Sequence, residues 1–359
     1  MATIKEVAKA AGVSVGTVSN VLSGNVSVSE DLRERVNTAI RELDYHPNHV
    51  ARSLKVKSTK TLGMVISDIT NPFFPQVVRG AEDAAFAQGY FLITFNTDDR
   101  VERERQVLSM LRYRRVDGLL LVVAPSDGDS SHIRSTVEAG IPVVCLDRIP
   151  QGLPVDSVSV DNVKGARMCV QHLIMRGHRR IAIITGSMAL QTAKGRLRGY
   201  ELALRDAGIA IDRRLVLEGD FRQESGYRLG KTLLLSHRPP TALFVSNGMM
   251  TMGVLQAIEE LGLVCPDDVA LATFDDFPLS AAFRPHLTAV AQPGYQIGFT
   301  GANLLIDRIH GKGEGEKHVN LLLEPDLHVR ESSAGGRLSA GAGVQSRLFA
   351  APPKKSGGA

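Results

Sequence analysis

Several polar and aromatic side chains come directly after short apolar runs in this sequence, where buried strands would end. Aromatic faces stack on a flat ring, and carboxylate, amide and guanidinium groups exchange hydrogen bonds with ring hydroxyls. The combination predicts a binding site for a small polar ring compound. The candidate residues are Asp68, Phe73, Phe74, Asp147, Arg148, Arg196, Phe221, Asn247, Asp275 and Gln292.

Simpler interpretations of these residues stay open at this stage. A lone phenylalanine most often packs in a core, and this applies to Phe73, Phe74 and Phe221. Asp147 and Arg148 could pair with each other instead of with a ligand.

Motifs for enzyme chemistry are missing from the sequence. Gly230-Lys231-Thr232 is similar to the end of a phosphate loop, but Ser225 stands where that loop requires glycine. No Gly-x-Ser-x-Gly elbow follows an apolar strand run, and there is no paired Cys/His metal spacing. The three cysteines are far apart in apolar contexts, which favours buried thiols. We predict no catalytic residue, no metal and no cofactor.

Short apolar strands alternate with helices that end in glycine from Thr61 onward. Continuous Val/Ile/Leu runs are typical of parallel strands covered on both faces. Two such halves predict two doubly wound sheets facing a cleft, with ligands at the carboxyl ends of the strands. The predicted strands are Leu62–Ile66, Phe91–Phe95, Gly118–Val123, Pro142–Leu146, Arg180–Thr185, Leu215–Leu217, Ala242–Ser246 and Val269–Thr273.

The amino end has a different, all-helical pattern. Thr3-Ile4-Lys5-Glu6 predicts a capping box, and Gly12 can take the positive φ that ends the first helix. Ser14 can cap a second helix over Val15–Leu22, and a third helix is predicted from Ser29. Two helices joined by a short glycine turn form a helix-turn-helix, whose second helix can lie in the DNA major groove.

Composition and charge fit this division. The 359 residues are 43% hydrophobic and 22% charged, which is ordinary for a globular protein. No run has the apolar length of a membrane span, so we expect a cytoplasmic protein. Residues 1–57 hold eight Lys/Arg against six Asp/Glu, a weakly basic end. Residues 334–359 are mostly Gly, Ala, Ser and Pro, which is typical of a flexible tail.

At its amino end the chain closely resembles the lactose-repressor family of bacterial regulators. Several motifs carry the resemblance in matching order and spacing. They are Val7–Ser14, Thr17-Val18-Ser19, Val28-Ser29-Glu30, Pro47-Asn48 and Ala51–Leu54.

The resemblance implies a homodimer on a pseudo-palindromic operator in double-stranded DNA. Ser14, Thr17 and Ser19 would contact phosphates, whereas Val15, Gly16 and Asn20 would face base edges. Leu54 is similar to the family's minor-groove wedge, with Arg52 and Lys55 beside it on phosphates. The expected DNA contacts are Thr3, Ser14, Val15, Gly16, Thr17, Ser19, Asn20, Asn48, Arg52, Leu54 and Lys55.

For the rest of the chain, the resemblance implies a core similar to periplasmic sugar-binding proteins, with crossings near Val160, Gln292 and Leu322. The expected fold is an all-α helix-turn-helix head joined by a hinge helix to an α/β core of two doubly wound parallel-sheet subdomains. The expected boundaries are a head at 1–46, a hinge at 47–58, a core at 59–331 (N-subdomain about 59–160 and 292–321, C-subdomain about 161–291 and 322–331) and a disordered tail at 332–359.

The small-molecule effector is expected to be a sugar or a sugar acid. Arg196 and Asp275 match effector contacts of the family, and Arg148 with Arg196 leaves room for a carboxylate or phosphate. The chain departs from the family's Asn-Asp-x-Met-Ala-x-Gly pattern, because Gly248 follows Asn247. A purine or nucleoside is the second choice, since Leu190 stands where a purine pocket needs arginine.

A different class remains as the rival interpretation. A sugar-binding protein or an enzyme with an incidental helical head would bind a ligand and ignore DNA. DNA binding therefore separates the two classes.

Overall fold

The chain forms two compact units, Met1–Thr59 and Lys60–Ala359. The computed structural model describes residues 2–22, 28–45, 58–114, 116–126, 128–282, 284–313, 315 and 317–334. Hence Asn48, Arg52, Leu54 and Lys55, almost all of the expected hinge and most of the expected tail lie outside the described residues.

The first unit contains three helices, α1 (Ile4–Ala11), α2 (Val15–Leu22) and α3 (Glu30–Glu42). The predicted capping box starts α1, because the Thr3 hydroxyl accepts from the Glu6 amide while the Thr3 amide donates to Glu6 Oε2 at 2.6 Å. Gly12 follows α1 with φ of 62°. These local features produce the predicted helix-turn-helix.

A small apolar core holds the three helices together. Val7 of α1, Val18 of α2 and Val36 of α3 are fully buried in it. Arg35 of α3 donates through Nη2 to the Ala11 carbonyl at 2.7 Å, which satisfies a carbonyl at the end of α1. The turn between α1 and α2 is thereby fixed to α3.

The second unit contains two six-stranded sheets. Its strands are β1 (Thr61–Ile66), β2 (Phe91–Asn96), β3 (Gly118–Leu121), β4 (Val143–Leu146), β5 (Asp156–Val160), β6 (Ile181–Thr185), β7 (Val216–Glu218), β8 (Ala242–Val245), β9 (Ala270–Phe274), β10 (Thr288–Ala291), β11 (Asn320–Leu323) and β12 (Asp326–His328). The first sheet is parallel, in the order β11-β5-β4-β3-β1-β2. The second has the order β12-β10-β9-β8-β6-β7, with β12 antiparallel to β10.

Helices cover both faces of each sheet. They are α4 (Phe73–Ala87), α5 (Val101–Arg114), α6 (Ser131–Glu138), α7 (Asn162–Met175), α8 (Gln191–Asp206), α9 (Gln223–Leu234), α10 (Gly248–Glu260) and α11 (Gly294–Ile309). In the first sheet, α4 and α11 pack on one face and α5 and α6 on the other. In the second, α9 and α10 lie opposite α7 and α8. The predicted fold class is confirmed.

The chain passes between the sheets three times, after Val160, after Ala291 and after Leu323. The third crossing was expected near Leu322 and lies just after Leu323, because β11 pairs with β5 as far as that residue. Strand β5 was not predicted, since Ser157 and Ser159 interrupt its apolar pattern.

The expected start of the tail at residue 332 is wrong. Ser332 and Ser333 are fully buried in a 3-10 turn. The Ser332 hydroxyl donates to the Leu271 carbonyl at 2.6 Å, and the Ser333 hydroxyl bonds His172 Nε2 at 2.8 Å. These contacts attach the segment to the second sheet. Among the described residues, every helix is too short or too polar to cross a bilayer.

Candidate ligand cleft and nucleic-acid interface

A cleft lies between the carboxyl ends of the two sheets, where loops from both subdomains meet. Its innermost part, the inner pocket, brings together all the predicted effector residues except Asp68. The residues lining it are Asn71, Phe73, Phe74, Asp147, Arg148, Thr192, Arg196, Phe221, Asn247, Asp275 and Gln292.

Asp68 has a local structural role instead. Its Oδ1 accepts from the Thr70 amide at 2.9 Å and from the Thr70 hydroxyl at 2.6 Å. The carboxylate therefore stabilises the turn that leads from β1 into α4. Asn71, three residues later, does line the pocket and was not among the predicted contacts.

Arg196 is buried deep in the second subdomain. Its Nε donates to Asn162 Oδ1 at 2.7 Å and its Nη1 donates to the Ser246 carbonyl. The guanidinium also lies 3.8 Å from the centre of the Phe274 ring, a cation–π distance. These contacts fix the cation beside the carboxylate of Asp275.

Arg148 occupies the corresponding place in the first subdomain. Its Nη1 donates to Asp99 and to the Val123 carbonyl at 3.3 Å. Asp147 is farther away, with 3.9 Å between its Oδ2 and Arg148 Nε. The simple pairing of Asp147 with Arg148 is thus secondary, and Asp99 is the main partner that sequence reasoning missed.

Two buried acceptor atoms in the cleft have no hydrogen-bond partner among the described residues. They are Asp147 Oδ1 and Gln292 Oε1. The other end of Gln292 is engaged, because its Nε2 donates to Asp275 Oδ1. Buried polar atoms are almost always paired in folded proteins, so these acceptors favour a ligand that supplies donors.

Three non-glycine residues at strand ends have positive φ angles in this cleft. Asp147, Phe221 and Asp275 have φ of 61°, 67° and 75°. Such a conformation costs about 1–2 kcal/mol and persists only where the surroundings impose it, typically at functional sites. Here Asn247 supports Phe221, since its Nδ2 donates to the Phe221 carbonyl at 2.9 Å. Asn247 also caps α10, so it acts largely by positioning Phe221.

The inner pocket has a volume of about 20 Å³, enough for a water molecule but not for a sugar ring. A second cavity of about 250 Å³, the outer cavity, adjoins it. The two share Asn71, Phe73, Asp275 and Gln292. A ring compound therefore has to open the cleft or extend into the outer cavity.

Burial changes the ionisation of the cleft carboxyls. Desolvation raises the pKa of Asp147, although Arg196 and Arg148 favour its ionised form. The same two opposing causes act on Asp275, and its pKa is also raised. A ligand whose hydrogen-bond donors replace the lost water would therefore stabilise the ionised form of both carboxylates.

Asp147→Asn is expected to raise the melting temperature of the unliganded protein at pH 7. The folded pKa of Asp147 lies above the unfolded value of 3.8, so ionisation reduces the free energy of unfolding at neutral pH, and this cost disappears toward about pH 4. Asparagine also tolerates the positive φ. Thermal unfolding at both pH values measures the effect, and an equal gain at both would contradict it.

In the first unit, α2 offers a polar, exposed face. The Ser14 hydroxyl accepts from the Thr17 amide at 3.1 Å and bonds the Thr17 hydroxyl at 2.9 Å. Val15, Gly16 and Asn20 are exposed, while Ser19 is half-buried. Thr3 is exposed as well, but its hydroxyl is engaged in the capping box. The open face suits insertion into a DNA groove.

Within the described ranges, no cluster of His, Cys, Asp or Glu side chains could hold a metal ion. The cysteines Cys145, Cys169 and Cys265 are buried free thiols. Desolvation raises the pKa of Cys265 to about 12, which keeps it protonated.

Two family models match the chain. One is described as bacterial regulatory proteins, lacI family, and matches residues 3–48. The other is described as periplasmic binding proteins and sugar binding domain of LacI family, and matches residues 59–326.

Similar proteins include the HTH-type transcriptional repressor PurR of Histophilus somni, which is 37% identical over 92% of this chain and 99% of the relative. Among solved structures, the transcriptional regulator CelR–cellobiose complex is 35% identical with a TM-score of 0.71, over 92% of this chain and 100% of that one. The Lac repressor dimer bound to operator and the anti-inducer ONPF is 29% identical with a TM-score of 0.83, over 93% of this chain and 99% of that one.

Proposed function

This chain belongs to the LacI family of bacterial regulatory proteins and is a DNA-binding repressor, not an enzyme, and we propose that a sugar or sugar acid bound in the cleft controls it. The observation that carries the proposal is the unpaired, buried Oδ1 of Asp147 beside aromatic and cationic side chains. A sugar hydroxyl donates to such an atom while the ring packs on an aromatic face.

The surroundings of Arg148 support this ligand class. Its guanidinium carbon lies 5.9 Å from the centre of the Phe74 ring and 5.8 Å from that of Phe221. Two aromatic rings from different subdomains thus flank one cation. This arrangement suits a polar ring that carries an anionic group, because the cation binds the anion while the rings cover the ring faces.

A purine is the second candidate, because the curated relatives named PurR are 37% and 39% identical over most of their length. Against it stands Leu190, an apolar side chain that is 5% exposed at the start of α8. A purine pocket of the expected kind needs an arginine at that position. The CelR–cellobiose complex, with 35% identity, supports the sugar instead.

A thermal-shift screen of the full-length protein against sugars, sugar acids and purines tests the proposal. We expect a sugar or sugar acid to raise the melting temperature in a concentration-dependent way. The shift should be lost in Arg196→Ala. Stabilisation by purines alone would replace the sugar by the second candidate.

We infer that the cleft couples effector binding to DNA binding. Phe74 and Asp147 of one subdomain and Phe221 and Asp275 of the other line the inner pocket, so the binding free energy of a ring held between them depends on how the subdomains are arranged. In a homodimer on a pseudo-palindromic operator, that arrangement sets the spacing of the two heads. Effector affinity and operator affinity are then reciprocally linked.

In the head, Asn20→Ala is expected to weaken operator binding roughly tenfold or more, because asparagine can pair with adenine in the major groove, a contact worth about 1–3 kcal/mol. Fluorescence anisotropy with an operator duplex measures the loss. Asn37→Ala is the matched control, since Asn37 is an exposed asparagine on α3. Equal affinity of the two variants would count against base reading by α2.

A further inference from the structure

A pocket on the first subdomain is separate from the cleft. It lies between α5 and α6, has a volume of about 390 Å³, and shares none of its lining residues with the inner pocket or the outer cavity. Ligand pockets in proteins typically have volumes of about 300–1,000 Å³. We propose that this α5–α6 pocket binds a second ligand, a small polyol that carries a phosphate group. The inference is independent of the sugar effector proposed for the cleft.

Helix α5 supplies the cationic wall of the pocket. Arg105, Ser109 and Arg112 follow one another at helical spacing and line the same side. Arg105 binds Asp129 through Nη2 alone, so its other nitrogens can still donate. Arg112 is exposed and has no ion-pair partner among the described residues. Two guanidinium groups and one carboxylate thus line the pocket, an excess of positive charge that favours an anionic group.

Helix α6 supplies hydrogen-bond acceptors instead. The Ser135 hydroxyl donates to the Ser131 carbonyl at 2.7 Å, and the Thr136 hydroxyl donates to the His132 carbonyl at 2.9 Å. Each hydroxyl has a single proton, so both oxygens can only accept from a ligand while they keep these bonds. The hydroxyl groups of a polyol therefore suit this wall, whereas a phosphate dianion has no proton to donate to it.

His132 adds a third acceptor to the α6 wall. Its side chain is 10% exposed, and its Nε2 bonds Glu104 Oε1 at 2.6 Å. Glu104 also accepts from the Ala124 amide at 2.6 Å, so this buried carboxylate is paired and holds the imidazole ring in place. In the neutral ring Nδ1 is then an acceptor, and this buried atom has no partner among the described residues. A ligand hydroxyl that donates to Nδ1 would satisfy it.

The binding of phosphorylated polyols tests the inference. Titration calorimetry on the full-length protein compares glucose 6-phosphate, sorbitol 6-phosphate and glycerol 3-phosphate with glucose, sorbitol, glycerol and inorganic phosphate. At least one phosphorylated polyol should bind roughly tenfold or more tightly than both its unphosphorylated parent and inorganic phosphate, because only the combined molecule contacts both walls.

Substitutions on the two walls locate the binding. Arg112→Ala should weaken the affinity for that polyol phosphate roughly tenfold or more, since it removes a charge-assisted contact. Arg228→Ala, the same substitution at an exposed arginine on α9, should leave the affinity unchanged. Ser135→Ala removes an acceptor for the polyol and should weaken its phosphate ester about threefold to tenfold, without weakening the binding of inorganic phosphate.

Three results would overturn the inference. If none of the phosphorylated polyols binds, the second site is absent, and the sugar effector proposed for the cleft is unaffected. Equal affinities for inorganic phosphate and the phosphorylated polyols would contradict the assigned ligand class. The same affinity in Arg112→Ala as in Arg228→Ala would mean that the compound binds outside the α5–α6 pocket.

Discussion

Asp275→Asn is expected to weaken effector binding roughly ten- to a hundredfold, while the neighbouring Asp276→Asn leaves it nearly unchanged. Asp275 lines the inner pocket, where a charged acceptor contributes about 1.5–3 kcal/mol to each hydroxyl it binds. Burial raises its pKa, so the loss of its charge costs the fold little. Titration calorimetry with the ligand found in the screen measures the affinity.

Asp276→Asn should instead lower the free energy of unfolding, by about 1–2 kcal/mol. Arg330 binds both oxygens of this carboxylate, at 2.9 and 2.7 Å, and connects the end of β9 to the segment after β12. Burial opposes its ionisation, yet the hydrogen bonds from Arg330 and His328 leave its pKa lowered. Its stabilisation is present at neutral pH and is lost as the pH falls below the unfolded value of 3.8.

The two variants thus act as controls for each other. Calorimetry should show a large loss of affinity only for Asp275→Asn. Urea unfolding should show a clear loss of stability only for Asp276→Asn. If Asp276→Asn lost the effector as completely as Asp275→Asn, the separation of the cleft from the salt bridge would be wrong.

Gly298→Ala is expected to cost about 3 kcal/mol or more of unfolding free energy, the largest stability effect that we predict. Gly298 lies where α11 meets α4, and an added Cβ would overlap the Val77 carbonyl and come 2.8 Å from the Ala81 amide. On α4, a Cβ atom added at Gly80 would likewise lie 2.0 Å from the backbone carbonyl oxygen of Tyr295 on α11. Backbone atoms block the methyl on both sides, so the helices must separate.

Gly230→Ala provides the matched control, since it is also a glycine inside a helix. Its nearest neighbour is the Val254 Cγ2 atom at 3.3 Å, a side chain that can shift. We expect a change within about 1 kcal/mol, partly offset by the better helix propensity of alanine. Urea denaturation of both proteins compares the two, and a similar cost at both sites would contradict the close helix contact.

Many residues of the cleft could be predicted from the sequence, because the end of a strand is set by residues close to it in the chain. Apolar runs followed by polar or aromatic residues predicted the positions of Phe74, Asp147, Phe221 and Asp275. The boundary of the tail was not predictable in this way. Ser332 lies in a stretch of small residues typical of a flexible segment, and only its contacts with the second sheet keep it buried.

Partners distant in sequence were also beyond prediction. Asp99 and Arg148 are 49 residues apart, and they meet because β2 and β4 end at the same edge of one sheet. Asn162 reaches Arg196 across 34 residues because helices α7 and α8 pack against each other. Sequence spacing carries no information about such pairs, since strand order is set by the packing of whole elements.

The sequence alone determined the helix-turn-helix head, the alternating α/β core and the family, because capping residues, glycine stops and apolar periodicity act within a few residues of each other. The tertiary structure decided which of two adjacent carboxylates lines the inner pocket. Asp275 lines it, whereas Asp276 is bound by an arginine 54 residues later in the chain. A residue's role here follows from the charged groups that folding brings beside it, and those come from elsewhere in the chain.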